Sequence, residues 1–411
     1  MSKIKRKYLI FSLNFHPELV GVGKYSGELV DELRRRGDEV TVVCGTPHYP
    51  LGHTYSDFEN KFSKETSGNV TIIRVPLLFR NRLGASIRIL QQVIWALSIL
   101  YYTRTISRVR YDVTLLVAPA LISMIVVRYV VLLNKSLLWL HFHDLEVSAA
   151  KELGLLRNKF IIFVAEKFER WAISKAQWVS CVSATMKAKL LRNNPNLSRV
   201  TIFRNWSDRF EFQEDFVTDV EAEKLRLGIP LGKKIILYSG SLSLKQGASL
   251  FQKVSEVCEL RGDCFLIICS NSVGAQSILA RIQEINALKM MDLLPKTEFH
   301  RLMQCADFHL LPQQNSVSES LLPSKLNTML LSGKPIITNC DSNTELGGLI
   351  SHSGIFVEDS TSVLQLSKML DLDKNCLAMV KDNSDRTFNK FFDKETVFKR
   401  LMEMINVMES R

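Results

Sequence analysis

Histidine and acidic side chains cluster at the end of one apolar segment. The sequence "HFHDLE" places His141, His143, Asp144 and Glu146 at the carboxyl end of a predicted strand. Two imidazoles at alternate strand positions can begin a metal site, but no second group of His, Cys or Asp with ligand spacing occurs in the chain. Without a metal, an imidazole there can donate a hydrogen bond to a polar substrate or act as an acid or base. The alternative is a histidine with a structural role.

Glycines after the first predicted strand could bring backbone amides close to an anion. In "NFHPELVGVGKYSGEL", Gly21 and Gly23 precede a helix predicted to begin near Lys24, and amides at a helix N-terminus can bind phosphate. The segment is a poor dinucleotide fingerprint, because Ser26 stands at the position of the third glycine and the loop before Gly21 is long. This disfavours a nicotinamide-linked oxidoreductase.

A lysine follows small residues in the segment "LYSGSLSLKQG". Gly240 and Ser241 lie at the carboxyl end of a predicted strand, and Lys245 precedes a helix. Small residues allow close approach of an anion, and the ammonium can neutralise a pyrophosphate without a metal ion. An ordinary loop between strand and helix, with a solvated lysine, is the alternative.

A second lysine lies in "LLPSKL". Ser324 is the predicted cap of a helix and Lys325 is placed in its first turn, where the helix end and the ammonium can hold a phosphate together. Glu345 opens a later loop, and its carboxylate could accept hydrogen bonds from ribose or sugar hydroxyls. The chain has neither a Gly-x-x-x-x-Gly-Lys-Ser/Thr loop nor a Gly-x-Ser-x-Gly elbow. This excludes a P-loop NTPase and disfavours an α/β-hydrolase.

Alternating strands and helices must position these residues. Apolar, β-branched segments predict strands, and the stretches between several of them have apolar residues at helical spacing. The strands are 7–13, 39–45, 70–76, 112–119, 136–144, 178–183 and 199–205, followed by 233–242, 264–270, 308–313, 334–339 and 354–359. Strands separated by helices form parallel sheets covered on both faces, so the fold class is α/β.

The strand pattern restarts after residue 205, which divides the chain into domains. We predict a Rossmann-like N-terminal domain of residues 1–205 and a Rossmann-like C-terminal domain of residues 206–391. Residues 392–411 form a helix that packs on its own domain or crosses back to the first. Two doubly wound domains facing each other would line one cleft with their strand carboxyl ends, which suits a two-substrate reaction.

Basic residues are distributed unevenly along the 411-residue chain, whose formal net charge is +11. Residues 1–205 contain 30 Lys and Arg against 15 Asp and Glu, a net charge of +15, whereas residues 206–411 contain 23 against 27, a net charge of −4. A basic half predicts an anionic partner such as nucleic acid, a phosphorylated ligand or an acidic membrane. Nucleic acid is disfavoured because the arginines are not interleaved with an aromatic stacking motif.

Two apolar segments could meet a membrane. Residues 113–133 are long enough to span one, but Pro119 and the β-branched residues before it favour a buried strand followed by a buried helix. Residues 80–110 combine apolar residues at helical spacing with basic flanks, as a helix lying on an anionic bilayer would. A packed surface helix with basic ends is the alternative. The candidate acceptor or membrane contacts are Arg80, Arg82, Arg88, Trp95 and Arg104.

The eight cysteines form no C-x-x-C pair, and most stand among apolar residues as reduced core cysteines do. The first apolar run is short and soon meets Pro17, which indicates a strand and not a signal peptide. Both features predict a cytoplasmic protein.

The motifs taken together resemble glycosyltransferase family 4, and within it the bacterial colanic acid biosynthesis glycosyltransferases. They are "NFHPELVGVGKYSGELVDEL", "TPHYP", "LHFHDLE", "RNWSD", "KKIILYSGSLSLKQG", "LLPSKL", "SGKPIIT" and "TELG". The resemblance implies a GT-B fold, in which two Rossmann-like domains face each other across a cleft. It further implies an acceptor held by the first domain, a UDP- or GDP-sugar donor held by the second, retention of anomeric configuration, and no cofactor or bound metal.

The resemblance also implies roles for individual residues. Those on the donor side are Gly21, Gly23, Gly240, Ser241, Lys245, Ser324, Lys325 and Glu345, and those facing the transferred sugar, as the catalytic pair, are His143 and Asp144. The implied function is a glycosyltransferase that extends a lipid-linked oligosaccharide for exopolysaccharide or surface polysaccharide. Such an enzyme would be peripheral on the inner face of the cell membrane.

Three positions depart from the family pattern. Ser320 and Thr328 replace the Glu-x7-Glu pair of most members, and Ser241 stands where the loop of the second domain usually has a basic residue. These departures motivate an alternative function, a catalytically silent GT-B protein that acts as a membrane-associated partner in polysaccharide assembly.

Overall fold

In a computed structural model, the chain forms two compact units, Met1–Phe203 and Arg204–Arg411, whose residues make most of their contacts within their own unit. The described residues are 5–18, 21–49, 51–78, 85–106, 109–152, 158–197, 200–214, 217–240, 242, 248–270, 287–313 and 322–409. Each unit is built around a sheet of mainly parallel strands.

In the described part of unit 1, eight strands form one sheet. They are β1 (Lys7–Ser12), β2 (Glu39–Gly45), β3 (Ser63–Ser67), β4 (Val70–Val75), β5 (Val113–Ala118), β6 (Leu137–Phe142), β7 (Trp178–Cys181) and β8 (Val200–Ile202). Their order is β3-β4-β2-β1-β5-β6-β7-β8, and every described pair is parallel except β3 with β4. The chain turns back on its strand order between β1 and β5, so a ligand crevice is expected at the carboxyl ends of these two strands.

Helices cover the sheet of unit 1. They are α1 (Gly21–Arg35), α2 (Ala85–Ile106), α3 (Met124–Asn134), α4 (Glu146–Glu152), α5 (Lys159–Lys175) and α6 (Ala184–Asn193), with a 3-10 turn at Leu121–Ser123. Helices α2, α3 and α5 bury residues in one core cluster with alternate residues of β1, β5 and β6. Because alternate strand residues share a face, these three helices lie on the same face of the sheet.

Unit 2 has the strand order of a dinucleotide-binding fold. Its described strands are β9 (Lys234–Ser239), β10 (Cys264–Cys269), β11 (Leu288–Met291), β12 (Phe308–Leu311), β13 (Ile336–Thr338) and β14 (Gly354–Phe356). They are parallel in the order β11-β10-β9-β12-β13-β14, which is the doubly wound order 3-2-1-4-5-6. The switch point lies between β9 and β12.

The described helices of unit 2 lie before the first of these strands, between later ones and after the last of them. They are α7 (Arg209–Glu214), α8 (Val220–Arg226), α9 (Ala248–Arg261), α10 (Lys296–Cys305), α11 (Leu326–Ser332), α12 (Glu345–Leu349), α13 (Val363–Met369), α14 (Lys374–Phe391) and α15 (Lys394–Glu409). Helix α15 contacts the start of unit 2. The ring centroids of Trp206 and Phe398 are 4.7 Å apart, and Lys394 pairs with Asp208 at 3.1 Å. A crossing of this helix to unit 1 stays a prediction.

The structure confirms the α/β class and every predicted strand, and it adds two. Strand β3 is an antiparallel edge strand of polar, mostly exposed residues and has no apolar pattern. Strand β11 is a half-buried edge strand of four residues, too short to give a clear pattern. Residues 113–133 form β5, the 3-10 turn and most of α3. Within the described ranges, no helix has both the length and the apolar character that crossing a membrane requires.

Candidate active site

The glycine-rich turn after β1 differs from the prediction. Helix α1 begins at Gly21 and not near Lys24, so Gly21 and Gly23 both lie in its first turn. Gly21 has a φ of +62°, a left-handed conformation that favours glycine. A Cβ on Gly23 would lie 2.6 Å from Cβ and 2.7 Å from Oε2 of Glu18. Position 23 is therefore glycine because Glu18 packs against it, and the approach of both glycines to a donor phosphate stays a prediction.

Glu18 is a buried carboxylate that the sequence analysis missed. Its side chain has no exposed surface. Oε1 accepts hydrogen bonds from the backbone N–H groups of His48 and Tyr49, each at 2.9 Å, and Oε2 accepts one from Asn14 Nδ2 at 2.9 Å. These charge-assisted bonds join the turn after β1 to the loop after β2. The sequence feature that could have indicated this role is the position of Glu18 in a glycine-rich turn after an apolar strand, where several backbone N–H groups need acceptors.

His141 has a structural role. Its side chain is buried, and its Nδ1 lies 2.8 Å from Ser180 Oγ. That oxygen accepts a hydrogen bond from Trp139 Nε1 at 2.7 Å, so the serine hydroxyl has its own proton to donate to His141 Nδ1. Burial, reinforced by the neighbouring His143, holds the pKa of His141 well below its usual value, and the ring is neutral.

His143 is the better candidate for contact with a substrate. It follows β6 and is half-buried, and its ring stacks on Tyr25 with 6.0 Å between centroids and meets His141 edge-on at 4.6 Å. Burial lowers the pKa of His143 to about 4. The imidazole is therefore neutral near pH 7, where it can donate or accept a hydrogen bond but adds no positive charge.

The two acidic residues after His143 differ in environment. Asp144 is half-buried. Glu146 opens α4, and its Oε1 accepts a hydrogen bond from Gln92 Nε2 at 2.6 Å. Burial raises the pKa of Glu146, with a smaller contribution from Asp144. Glu146 thus ties α4 to α2, whereas Asp144 keeps its assignment beside His143 as a prediction. Among the residues that the structure describes, no group of three His, Cys, Asp or Glu side chains is arranged to hold a metal ion.

Lys325 brings a largely buried ammonium to the carboxyl end of β9. Its Nζ donates a hydrogen bond to Tyr238 Oη at 2.9 Å and lies 4.0 Å from the centroid of that ring. A Cβ on Gly240, whose φ is +125°, would lie 3.1 Å from Nζ. Within the described parts of the chain, no carboxylate lies close enough to Lys325 to form an ion pair. Burial lowers the pKa of Lys325 to about 7, because desolvation disfavours the charged form.

The predicted helix start beside Lys325 was wrong. Helix α11 begins at Leu326, Lys325 is its N-cap residue with helical backbone angles, and no side chain caps it. Ser324 is exposed. The backbone N–H of Leu326 bonds to the carbonyl of Pro323 at 3.1 Å, and this turn leads directly into the helix without a serine cap. The proposed donor contacts Ser241 and Lys245 lie outside the described residues.

Glu345 is held by an arginine within unit 2. Its Oε1 accepts a hydrogen bond from Arg204 Nη2 at 2.5 Å, and both side chains are largely buried. The guanidinium lies 5.4 Å and 5.7 Å from the ring centroids of Phe391 and Phe392. Arg204 was not among the predicted site residues, although it opens the "RNWSD" segment that carries part of the family resemblance. The contact of Glu345 with a donor sugar or ribose stays a prediction.

The predicted membrane contacts have different outcomes. Arg80 and Arg82 lie outside the described residues, and Arg88 and Arg104 belong to α2. Trp95 was wrong as a surface contact, because it is fully buried in the core cluster of unit 1. Helix α2 has apolar residues on its outer side as well as on its buried side. Helical periodicity alone did not show on which of these two sides Trp95 lies.

The chain is similar to known proteins in sequence and in fold. Residues 20–206 match the family model described as "Glycosyl transferase 4-like domain". The chain is 31% identical over 353 residues to the protein named colanic acid biosynthesis glycosyl transferase WcaI in Escherichia coli (strain K12), which covers 84% of this chain and 85% of that protein.

Solved structures of low sequence identity share the fold. Sucrose-phosphate synthase from Thermosynechococcus elongatus has a TM-score of 0.74 at 13% identity, with 99% of this chain and 100% of that chain covered. Alr3699/HepE from Anabaena, solved in complex with UDP and glucose, has a TM-score of 0.64 at 13% identity, with 98% and 100% covered. The catalytic domain of starch synthase IV from Arabidopsis thaliana has a TM-score of 0.69 at 11% identity, with 99% and 100% covered.

Proposed function

The chain belongs to glycosyltransferase family 4, and from this we propose that it moves a sugar from a nucleotide-sugar donor to a lipid-linked oligosaccharide acceptor in exopolysaccharide or surface polysaccharide biosynthesis. We further propose that transfer retains the anomeric configuration and uses no metal ion. The name of the Escherichia coli relative supports the pathway class, and the UDP-sugar complexes of the Anabaena protein support a nucleotide sugar as donor.

The observation that carries the proposal is the environment of Lys325. A buried ammonium that has a phenol and an aromatic face as partners, and no carboxylate among the described residues, is costly to keep charged. A bound diphosphate would supply the missing negative charge. The position is also the one expected for a nucleotide, because it lies at the carboxyl end of β9, beside the switch point of unit 2.

The leaving group determines what these residues do during transfer. The nucleoside diphosphate gains negative charge as the bond to the sugar breaks, and Lys325, with Lys245, would stabilise that charge in place. Gly240 leaves room for the diphosphate beside Lys325, because any larger side chain would approach Nζ. The acceptor hydroxyl would attack from the face that the leaving group occupies and lose its proton to the departing phosphate.

Other candidate residues would hold the sugar and the ribose. His143, neutral near pH 7, would hydrogen-bond the transferred sugar together with Asp144. Glu345, oriented by Arg204, would accept hydrogen bonds from the ribose or the sugar.

The acceptor side is assigned to unit 1. The net charge of +15 in residues 1–205 suits an acceptor that carries a diphosphate and lies in an anionic membrane. We therefore propose a cytoplasmic protein, peripheral on the inner face of the cell membrane, whose helix α2 and its basic flanks meet the bilayer.

A panel of UDP- and GDP-sugars, measured by thermal shift, tests the proposal. A true donor binds only the folded protein and is expected to raise the unfolding temperature in a concentration-dependent way. Release of nucleoside diphosphate from the same sugar would then show turnover. Neither binding nor release with any member of the panel would contradict the proposal.

The same panel separates the second candidate function. Thr328 on α11, with Ser320, replaces the acidic pair of most family members, which favours a catalytically silent partner in polysaccharide assembly. That function predicts binding to membranes or to another assembly protein without release of nucleoside diphosphate from any donor.

A further inference from the structure

Three helices of unit 1 form a layer with an apolar outer side. Helices α2, α3 and α5 bury their inner residues in one core cluster, and α3 packs against both α2 and α5. Soluble proteins rarely leave a large continuous apolar patch exposed, and such patches mark a binding surface.

Helix α3 exposes one apolar side along its length. Ile125, Tyr129, Leu132 and Leu133 are all at least half exposed, whereas Val127 is fully buried. The exposed residues are four, three and one positions apart, which places them on one side of a helix. Helix α3 therefore has an apolar side toward the core and another toward the surface.

Helix α5 continues this surface from its first turns. Phe160, Ile161, Phe163 and Val164 are exposed, and Phe160 has 73% of its surface accessible. Lys167 Nζ lies 5.8 Å from the ring centroid of Phe163. Exposed aromatic side chains beside a lysine are typical of helices at a lipid interface.

Helix α2 adds the third part of the surface. Leu90, Leu97, Leu100 and Tyr101 are exposed, and Tyr101 has 79% of its surface accessible, whereas Trp95 faces the core. We call the exposed apolar residues named here on α2, α3 and α5 the apolar face.

The charge on these helices determines the kind of partner. The three helices contain seven basic and two acidic residues, and α2 and α3 contain no acidic residue. Of the two acids on α5, Glu166 pairs with Lys151 and Glu169 is buried, which raises its pKa to about 7. A second copy docking the same face would bring like charges together, whereas anionic lipid would neutralise them.

We propose that the apolar face is a docking surface for an anionic lipid bilayer. Its leucine and aromatic side chains enter the headgroup region, and the described basic side chains of the same helices meet lipid phosphates. This inference deepens the proposed function, on which it rests for the lipid-linked acceptor. The proposed contact is a surface shared by three helices, in place of α2 with its flanks alone, and the buried Trp95 is not part of it.

Vesicle binding by the full-length protein tests the surface. Wild-type protein is expected to sediment with vesicles of phosphatidylethanolamine and phosphatidylglycerol, and much less with phosphatidylcholine alone. The double variant Leu132→Asp with Phe163→Asp places one negative charge on α3 and one on α5. Its partition onto the anionic vesicles is expected to fall about tenfold or more, because a carboxylate is costly to bury in the membrane interface and is repelled by lipid phosphates. The matched control, Leu260→Asp with Leu364→Asp, changes two equally exposed leucines of unit 2 and is expected to bind as the wild type does.

Two further measurements decide between explanations. The unfolding temperature of the double variant and its shift with a nucleotide sugar are expected to match the wild type, since neither residue lies at the donor site. Wild-type protein that ignores anionic vesicles, or a double variant that binds them equally, would overturn the docking surface. A wild-type dimer that the double variant converts to a monomer would also overturn it, in favour of a second copy. Vesicle binding without any response to nucleotide sugars would support the docking surface while removing the proposed transfer activity.

Discussion

Lys325→Ala is expected to reduce sugar transfer by roughly 10²–10³-fold, the usual cost of removing one group that stabilises charge in the transition state. It is also expected to weaken donor binding by about tenfold or more, since a hydrogen bond to a charged group contributes about 1.5–3 kcal/mol. The physical reason is the loss of the ammonium that Tyr238 and Gly240 place at the carboxyl end of β9. Release of nucleoside diphosphate and the donor-induced thermal shift would measure the two effects.

The same variant is expected to unfold at an equal or higher temperature than the wild type when no donor is present. A desolvated cation without a carboxylate partner among the described residues costs free energy, and alanine removes that cost. Lys374→Ala, which changes an exposed lysine of the same unit, is the control and is expected to keep both activity and donor binding. A Lys325→Ala protein that binds and turns over the donor normally would contradict the site.

Trp95→Ala is expected to lower the free energy of unfolding of unit 1 by about 3–5 kcal/mol, the usual cost of truncating a large aromatic side chain in a core. Trp95 is fully buried, and it packs in the cluster that joins α2 to α3 and the central strands. Replacement by alanine leaves a cavity that the surrounding helices and sheet fill only in part. Urea unfolding followed by tryptophan fluorescence and circular dichroism would measure the loss.

Tyr101→Ala on the same helix is the matched control. Because 79% of Tyr101 is exposed, its truncation is expected to change the free energy of unfolding by less than about 0.5 kcal/mol. If Trp95 were instead a membrane contact, as its sequence pattern predicted, Trp95→Ala would leave the free energy of unfolding unchanged and reduce vesicle binding. That result would contradict the position of Trp95 in the core.

The sequence was sufficient for the architecture because buried parallel strands have continuous apolar, β-branched patterns. Segments such as 39–45 and 264–270 are buried on both faces of a sheet, and the structure confirms them as β2 and β10. Strand β3 has no such pattern, since its polar residues are held by backbone pairing with β4 and by a hydrogen bond between the Thr66 and Thr71 hydroxyls. Edge pairing of this kind depends on a neighbouring strand and cannot be predicted from local composition.

The candidate site was predictable in residue type but not in contact. Lys325 was singled out by its place after Pro323 and Ser324, yet its pairing with Tyr238 joins residues 87 positions apart. Gly23 was assigned to a phosphate, although its close neighbour is the buried Glu18. Both interactions depend on how the folded chain brings these side chains together. No local sequence pattern reports such packing.

Proton uptake on donor binding tests most directly whether a nucleotide sugar supplies the counter-charge of Lys325. The pKa of Lys325 is lowered to about 7 in the free protein, and a bound diphosphate would raise it, so binding near pH 8 should draw a proton onto Nζ and affinity should fall as the pH rises above about 7. Calorimetric titration of the donor, in two buffers that differ in ionisation enthalpy, measures the number of protons taken up. We predict an uptake approaching one proton per donor for the wild type and none for Lys325→Ala, whereas wild-type binding without proton uptake would contradict the account.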